Sequence, residues 1–433
     1  MDSKPAIENQ KIDVRNPRVL RRNVSALMID SGSFGMAMGF IGYSTVLPAL
    51  ALALTHSEPL VGLVSTVWVG LWLLPQLIAG RWMAGRPRKK PILVYAGAIS
   101  RFTLALFAIL LIFGKAIDRN WLFVFFLIAI AIFRGADAFA AVAWFDVISK
   151  VLPLNLRGRV LGVMQAIAFG LQFLASFVVT WALGAFGPTF PENYAILFGL
   201  AAVAILISLA MLASLLEPAA QVANNVSDQM HLTQHIRHIW RTDQAFRQLS
   251  IARILVGVNA LALPFYVVHA TEYLHVPSDS IGLFLAAQTI GGVLSAAILG
   301  VVNERYGSAI VVRMTQLLAL IPPVLGAALH FAGLGNITLA TSGYLLAFAA
   351  IGATDGSYMV GYLTYILEIA PESERTAYTG LANTIGGLLV IAPTIGGVLL
   401  QLTSFPVLFI AAGLGPLAGL FVAWTLPKAK QQE

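Results

Sequence analysis

Twelve stretches of roughly twenty apolar residues run through this chain, near 25–52, 59–83, 91–114, 121–149, 158–184, 194–216, 249–272, 280–302, 309–333, 339–369, 377–401 and 404–426. A helix rises about 1.5 Å per residue, so each stretch can cross about 30 Å of hydrocarbon. Composition agrees: of 433 residues, 58% are hydrophobic and only 11% charged, too few to give a soluble domain its wet surface. The stretches are continuous and too long for the alternating strands of a membrane barrel. We therefore expect an all-α membrane protein of twelve transmembrane helices. Residues 1–23 are polar and basic and lead straight into a full-length span, so no cleavable signal is expected. The absence of cysteine excludes disulfides and thiolate metal sites.

Charge sets the expected orientation. The segments before the first span, after the even-numbered spans and after the last one hold 21 of the 27 Lys and Arg residues. The opposite loops hold Lys115 and Arg119, and Arg101, Arg134, Arg253 and Arg313 lie within spans. Positive loops stay inside. Both termini are thus expected in the cytoplasm, in a multi-pass protein of the plasma (inner) membrane. The basic balance then serves topology, and no nucleic-acid partner is expected.

The polar stretch 217–248 divides the chain. We expect a cytoplasmic segment 1–23, a six-helix bundle 24–216, a cytoplasmic linker 217–248, a second bundle 249–427 and a tail 428–433. A surface helix over 230–247 would turn Ile236, Ile239, Trp240 and Phe246 toward lipid headgroups. His231, His235 and His238 lack an acidic or cysteine companion, so no metal site is expected. The halves repeat. Gly62 to Gly80 spans 18 residues, as does Gly282 to Gly300. Pro153, Arg157 and Gly162 match Pro371, Arg375 and Gly380 at an offset of 218, which also carries Asp137 onto Asp355. Repeated halves around a central site are a common build of secondary transporters.

Two loops carry a resemblance. "GRWMAGRPRKKP" (80–91) and "GVVNERYGSA" (300–309) resemble the loop motif Gly-x-x-x-Asp-Arg-x-Gly-Arg-Arg of the major facilitator superfamily. Gly300, Glu304, Arg305 and Gly307 fit it well; the first copy keeps Gly80, Arg88 and Lys89 but has Ala84 for the acid and Pro87 for the second glycine. "EIAPESER", from Glu368 to Arg375, resembles the motif after helix 10, while its first-half counterpart has Lys150 in place of the glutamate. The resemblance implies two pseudo-symmetric six-helix bundles, a small-molecule substrate, a lipid-embedded monomer and no cofactor. It implies a cytoplasmic gate at Gly80, Arg88, Lys89, Asp146, Arg157, Gly300, Glu304, Arg305, Glu368 and Arg375.

Within the fourth span, "IAIFRGADAFAA" (130–141) resembles a helix-4 motif of proton-coupled drug exporters in that superfamily, Leu-x-x-x-Arg-x-x-Gln-Gly-x-Gly. Arg134 matches the arginine, with Asp137 at the glutamine and Ala138 at a glycine; the exporters' Gly-Pro kink in helix 5 is missing. Charges at this depth are expensive and mark pathways. Arg134 and Asp137 share one helical face. Counting residues puts Arg134 about 20 Å and Asp137 about 24 Å below the outer end of the span, with Asp30 about 9 Å and Arg101 about 15 Å above the inner ends of theirs. We expect Asp30 to pair with Arg134, and Arg101 with Asp137. One reading is a fixed ionic cluster. The other is a proton or substrate site, with Asp137 the first choice of proton carrier and Asp30 the second. An arginine that moves relative to a carboxylate switches which protonation state is favoured. Asp355 has no arginine at its counted depth, and reads as carrying a proton, meeting a cationic group or bonding between helices.

Other polar groups are candidate cavity linings: Gln76, Gln165, Gln172, Asn259, Gln288 and Asn383, with Tyr358 and Tyr362 among the aromatics. Tyr43, Trp68, Trp72, Trp144 and Phe265 suit stacking or core packing. Gly32, Gly35, Gly39 and Gly42 form a stripe that permits close helix contact. His269 and Glu272 read as an outer gate or as interfacial residues. Nothing resembles a nucleotide-binding loop.

We read the chain as a secondary active transporter working by alternating access, proton-coupled and leaning to export. The alternatives are an uncoupled facilitator of a neutral solute and, from another class, a lipid scramblase or membrane enzyme. Seven scattered histidines do not furnish an enzyme's cluster. The first-half inner loops carry +7 (eight bases against Asp146) and the matching second-half loops −2 (four glutamates against two arginines). These faces should attract when the inner side shuts, although exposed pairs contribute only about 0–1 kcal/mol each. Crosslinking between residues 86–90 and 372–374 should therefore rise or fall with substrate; a yield indifferent to substrate would remove this gate.

Overall fold

The computed structural model describes residues 13–14, 16–83, 85–219, 239–371 and 374–427. Among the described residues, twelve helices are long and apolar enough to cross a membrane: α1 (Pro17–Thr55), α2 (Glu58–Met83), α3 (Lys90–Ile112), α4 (Arg119–Val151), α5 (Leu154–Leu183), α6 (Glu192–Ser214), α7 (Gln244–Tyr273), α8 (Ser280–Tyr306), α9 (Ser308–Ala332), α10 (Ile337–Ile369), α11 (Tyr378–Leu402) and α12 (Phe405–Trp424). No strand occurs among the described residues. The protein is an integral, multi-pass membrane protein.

Several spans are broken where sequence demands it. Gly42, with φ 47°, caps the first part of α1 in a left-handed conformation that a side chain disfavours. In α7 the ladder loosens over Val258–Leu261 before Pro264, whose ring removes a backbone donor. A similar loosening occupies Gly387–Ile391 in α11, just before Pro393. Both loosened segments contribute to the wall of a cavity between the halves.

Small residues decide how closely the helices approach. A Cβ on Gly32 would meet Ile167 and Leu171 at 2.9 Å, and one on Gly39 would meet Ala175 at 2.8 Å. The glycine stripe therefore seats α1 directly on α5. Gly282 on α8 lies against Ser176 and Thr180 of α5, and Gly62 and Gly397 bring α2 and α11 together. These contacts join the halves at the end that carries the α1–α2 and α7–α8 turns. Thr66 and Thr394 hydrogen-bond there at 2.8 Å, and buried Ser44 donates to Gln288 at 2.7 Å. At the opposite end, added carbons on Gly80, Gly158, Gly300 and Gly380 would meet nothing within 4 Å. The hydrogen bonds between the halves all lie toward the end with the α1–α2 and α7–α8 turns, among the described residues, and we read the molecule as closed there and splayed at the other end.

The expected surface helix over 230–247 is corrected in its described part. Ile239 and Phe246 are buried at 2% and 0% exposure, against the second half rather than facing headgroups. The Phe246 and Tyr378 rings pack 5.0 Å apart, and Tyr378 donates to Asp243 at 2.8 Å. Ile236, His231, His235, His238 and the tail 428–433 lie outside the described residues.

Gly282→Val should prise the closed end apart, since its side chain would overlap Thr180 and the Ser176 carbonyl. With no native cysteine, Ser176→Cys reports this directly: maleimide should label it slowly in the parent and several-fold faster beside Gly282→Val. Equal rates would mean that closure does not depend on this contact.

Candidate functional site

Three of the intramembrane charges, Arg101, Arg134 and Asp137, gather where α3, α4 and α2 meet. Arg101 approaches Asp137 at 3.2 Å, and Arg134 approaches the other carboxylate oxygen at 3.5 Å. All three are buried. Arg101 also donates to Ser100 at 2.7 Å. Arg134 donates from Nε to the Trp68 carbonyl at 2.9 Å and lies over the Trp68 ring at 4.3 Å and the Trp72 ring at 5.3 Å. Planar guanidinium on an aromatic face is a favourable cation–π arrangement. Asp137 thus bridges two guanidiniums, and the tryptophans of α2 hold the second one.

The expected pairing of Asp30 with Arg134 does not form. Asp30 instead accepts from Ser208 at 2.6 Å and from the Trp144 indole at 3.2 Å. Trp144 stands ten residues along α4 from Arg134, about 15 Å of helix rise. The glycine stripe fixes α1 on α5, which turns Asp30 toward Ser208 of α6 rather than toward α2. Counting residues from span ends could not supply that rotation.

These groups line a cavity of about 510 Å³ in the first half. Asp30, Arg101, Arg134, Asp137, Gln165 and Gln172 all reach its wall, with Trp72 and Trp144. A second cavity, about 390 Å³, lies between the halves and is lined by Tyr43, Trp72, Arg253, Asn259, Asp355, Tyr358 and Asn383. Trp72 borders both, so the cavities adjoin. Asp355 accepts from the Tyr43 hydroxyl of the other half at 3.0 Å. Arg253 donates to Asn383 at 3.1 Å and lies 5.1 Å from the Tyr358 ring centre. Arg253 and Asp355 both border this cavity, without pairing with each other among the described residues. Asn259 is partly committed to structure, donating to the Ala319 carbonyl and accepting from Tyr266, each at 3.1 Å.

Three expected linings lie elsewhere. Gln76 donates back to the Trp72 carbonyl at 2.8 Å, one turn away on its own helix. Gln288 accepts from Ser44 in the closed contact between halves and stands behind Tyr43 and Asp355, outside the lining itself. Tyr362 is 1% exposed and bonds Gln316 at 2.8 Å, so it belongs to the second-half core. His269 is fully buried rather than interfacial: it bonds Tyr344 at 2.5 Å and His330 at 3.1 Å beneath Phe405 and Phe409. Glu272 is exposed.

At the splayed end, Asp146 takes Lys89 at 2.9 Å and Lys150 at 2.5 Å. Lys150 also meets Glu217 at 3.0 Å, and Glu217 accepts the backbone N–H groups of Lys89 and Lys90. Arg157 donates to the Ser149 carbonyl at 2.6 Å. Gly80, Arg88, Glu304 and Arg305 are exposed, while Gly300 is half-buried. Glu368 accepts from Ser308, Arg375 opens the helix Arg375–Gly386, and Glu372 lies outside the described residues. Glu217, read in the sequence as the first linker residue, is 4% exposed and pins the start of α3. A lone acid following a span and facing a basic loop was its only sequence signal.

Residues 249–433 match the family model described as Major Facilitator Superfamily. A mutant of the nucleoside transporter NupG superposes with a TM-score of 0.70 at 14% identity, covering 94% of this chain and 100% of that one. A bacterial homologue of the iron transporter ferroportin, in an inward-facing state, gives 0.69 at 15% identity, covering 94% and 99%. A mutant of the peptide transporter POT gives 0.67 at 13%, covering 93% of each chain. None of the curated proteins matches by sequence. The second half thus matches the superfamily's sequence model, and the whole chain shares the fold of these solved structures. The resemblance read from the loops is borne out.

Removing the bridging carboxylate would leave two buried guanidiniums facing each other. Asp137→Asn should lower stability by about 3–5 kcal/mol, the range for breaking a buried pair. Pairing it with Arg101→Met should restore much of the loss. Thermal unfolding of the detergent-solubilised variants checks both; an unchanged midpoint for Asp137→Asn would show that the cluster contributes nothing to the fold.

Proposed function

We propose that this chain, with its major facilitator fold, moves a small solute across the plasma (inner) membrane by rocking its halves, in exchange for protons and chiefly outward. The observation that carries the reading is Asp30: a buried carboxyl on the wall of the first cavity, held by a hydroxyl and an indole and by no ion pair among the described residues. Asp137 is less suited to the proton, because protonating it would leave Arg101 and Arg134 both uncompensated. It suits a different task, holding two guanidiniums that can shift between carboxylates as the helices move. The sequence preference for Asp137 as proton carrier therefore yields to Asp30.

The basic loops argue that both termini are cytoplasmic. On that orientation the splayed end faces the cytoplasm and the described state is inward-open. Solute and proton then reach the adjoining cavities from inside. Closure of the splayed end and parting of the α2–α11 and α5–α8 contacts would present the same cavities outward. Export rests on the helix-4 resemblance around Arg134. A single copy suffices, since both cavities are built within one chain.

Proteoliposomes with a trapped pH dye test this, with pools of nucleosides, dipeptides, divalent metal ions and lipophilic cations. Wild type should show a solute-dependent pH change. Asp30→Asn should abolish that change yet keep solute-for-solute counterflow. Uptake by wild type with no pH change would replace proton coupling with facilitated diffusion.

A further inference from the structure

The two cavities treat charge differently. In the first, Asp137 already joins Arg101 and Arg134. In the second, one cation and one anion face the same space, and each is held by neutral groups. Asp355 is exposed to the cavity and takes a phenol from Tyr43. Arg253, half-buried, takes the Asn383 carbonyl and the face of Tyr358. A guanidinium has five donors in a fork that fits a carboxylate. The Asn383 bond leaves most of that fork for another acceptor. Open to water, both charges are solvated. Alternating access requires the cavity to close around its load, and closure removes that water. Two uncompensated charges would then resist closure, since buried charges need partners.

We infer that the solute is a small zwitterion whose cationic group binds Asp355 and whose anionic group binds Arg253. This deepens the carrier reading above and rests on it. Spacing limits the size. Arg253 lies over the ring of Tyr358, which is three residues from Asp355 on α10, about 4.5 Å of rise. No ion pair joins Arg253 to Asp355 among the described residues, and Arg253 sits beside the Tyr358 ring instead, so the two charges of the solute should stand farther apart than those of an α-amino acid. Tyr43, which bonds Asp355, and Trp72 line the same cavity from the first half and are aromatic groups suited to a cation seated on Asp355. A zwitterion brings its own neutrality, so loading it lets the cavity close without a net buried charge.

The test uses the purified full chain and the ω-amino acids from glycine to 8-aminooctanoic acid. Each has two single-charge relatives, the N-acetyl acid and the amide. Binding is read by thermal stabilisation. Members of intermediate length should bind best, and their blocked relatives at least tenfold more weakly. In Arg253→Gln the amide should bind as well as its parent; in Asp355→Asn the N-acetyl acid should. Both side chains face open space with neutral partners, and the ligand-free melting temperature of each variant verifies folding. Single-charge relatives that bind wild type as well as the zwitterions would overturn the inference, as would a series in which no member binds. A solute-driven pH change from the other pools, with no binding or competition by this series, would sink the zwitterion alone. Binding that needs both charged ends, without transport of any solute, would keep the site and sink the carrier reading.

Discussion

Hydrocarbon offers no hydrogen-bonding partner, and the architecture follows from that. Every backbone group in a span must be satisfied within the protein, so the chain crosses as helices. The same rule limits where a helix can break. The interruptions at Val258–Leu261 and Gly387–Ile391 border the cavity between the halves and not the lipid, which is where non-helical backbone is tolerated in a membrane. The lipid face stays helical and apolar: Tyr95, Phe102, Leu106 and Ile109 are all exposed along α3, while Arg101 of the same helix is buried against α4.

Since lipid tails are as apolar as leucine, burial of apolar surface does not hold such helices together. Close packing and internal polar contacts must. Glycines provide the first. They seat α1 on α5 within the first half and join α5 to α8 and α2 to α11 across the halves. The second is sparse at the closed end: Thr66 with Thr394, Ser44 with Gln288, and Tyr43 with Asp355. Contacts built from small residues and single hydrogen bonds would suit the parting of this interface that the proposed transport cycle requires. The splayed end contrasts with this, because Lys89, Lys150, Asp146 and Glu217 bind one another on the first-half side and tie the inner ends of α3 and α4 together.

Charge inside the protein is divided along similar lines. The bridge from Arg101 through Asp137 to Arg134 lies within the first half, spanning α3 and α4, with tryptophans of α2 behind it. Asp30, Asp355 and Arg253 are held by hydroxyl, indole, phenol and amide groups. Groups with neutral partners can change protonation or partner at low penalty, whereas the bridge cannot lose one member without stranding another. That distinction separates scaffold from working groups better than burial does, since Asp30 and Asp137 are both nearly inaccessible.

The number of spans and the helical fold could be read from the sequence, because span length and hydropathy are properties of the linear chain. The nomination of Arg101, Arg134, Asp137, Asp30 and Asp355 followed from the same source, since a charge within an apolar run is conspicuous. Partner choice was not legible. It depends on the rotation of each helix about its axis, which close packing sets: the glycine stripe on α1 turns Asp30 away from Arg134 and toward Ser208. Depth counted from span ends did not reveal that Arg253 and Asp355 border one cavity, because that depends on which faces of α7 and α10 turn inward. Gln76 and Tyr362 fell to local and core bonds that no pattern announces. Sequence determined which charges must be inside; only the tertiary structure decided which of them are already neutralised and which still face open space.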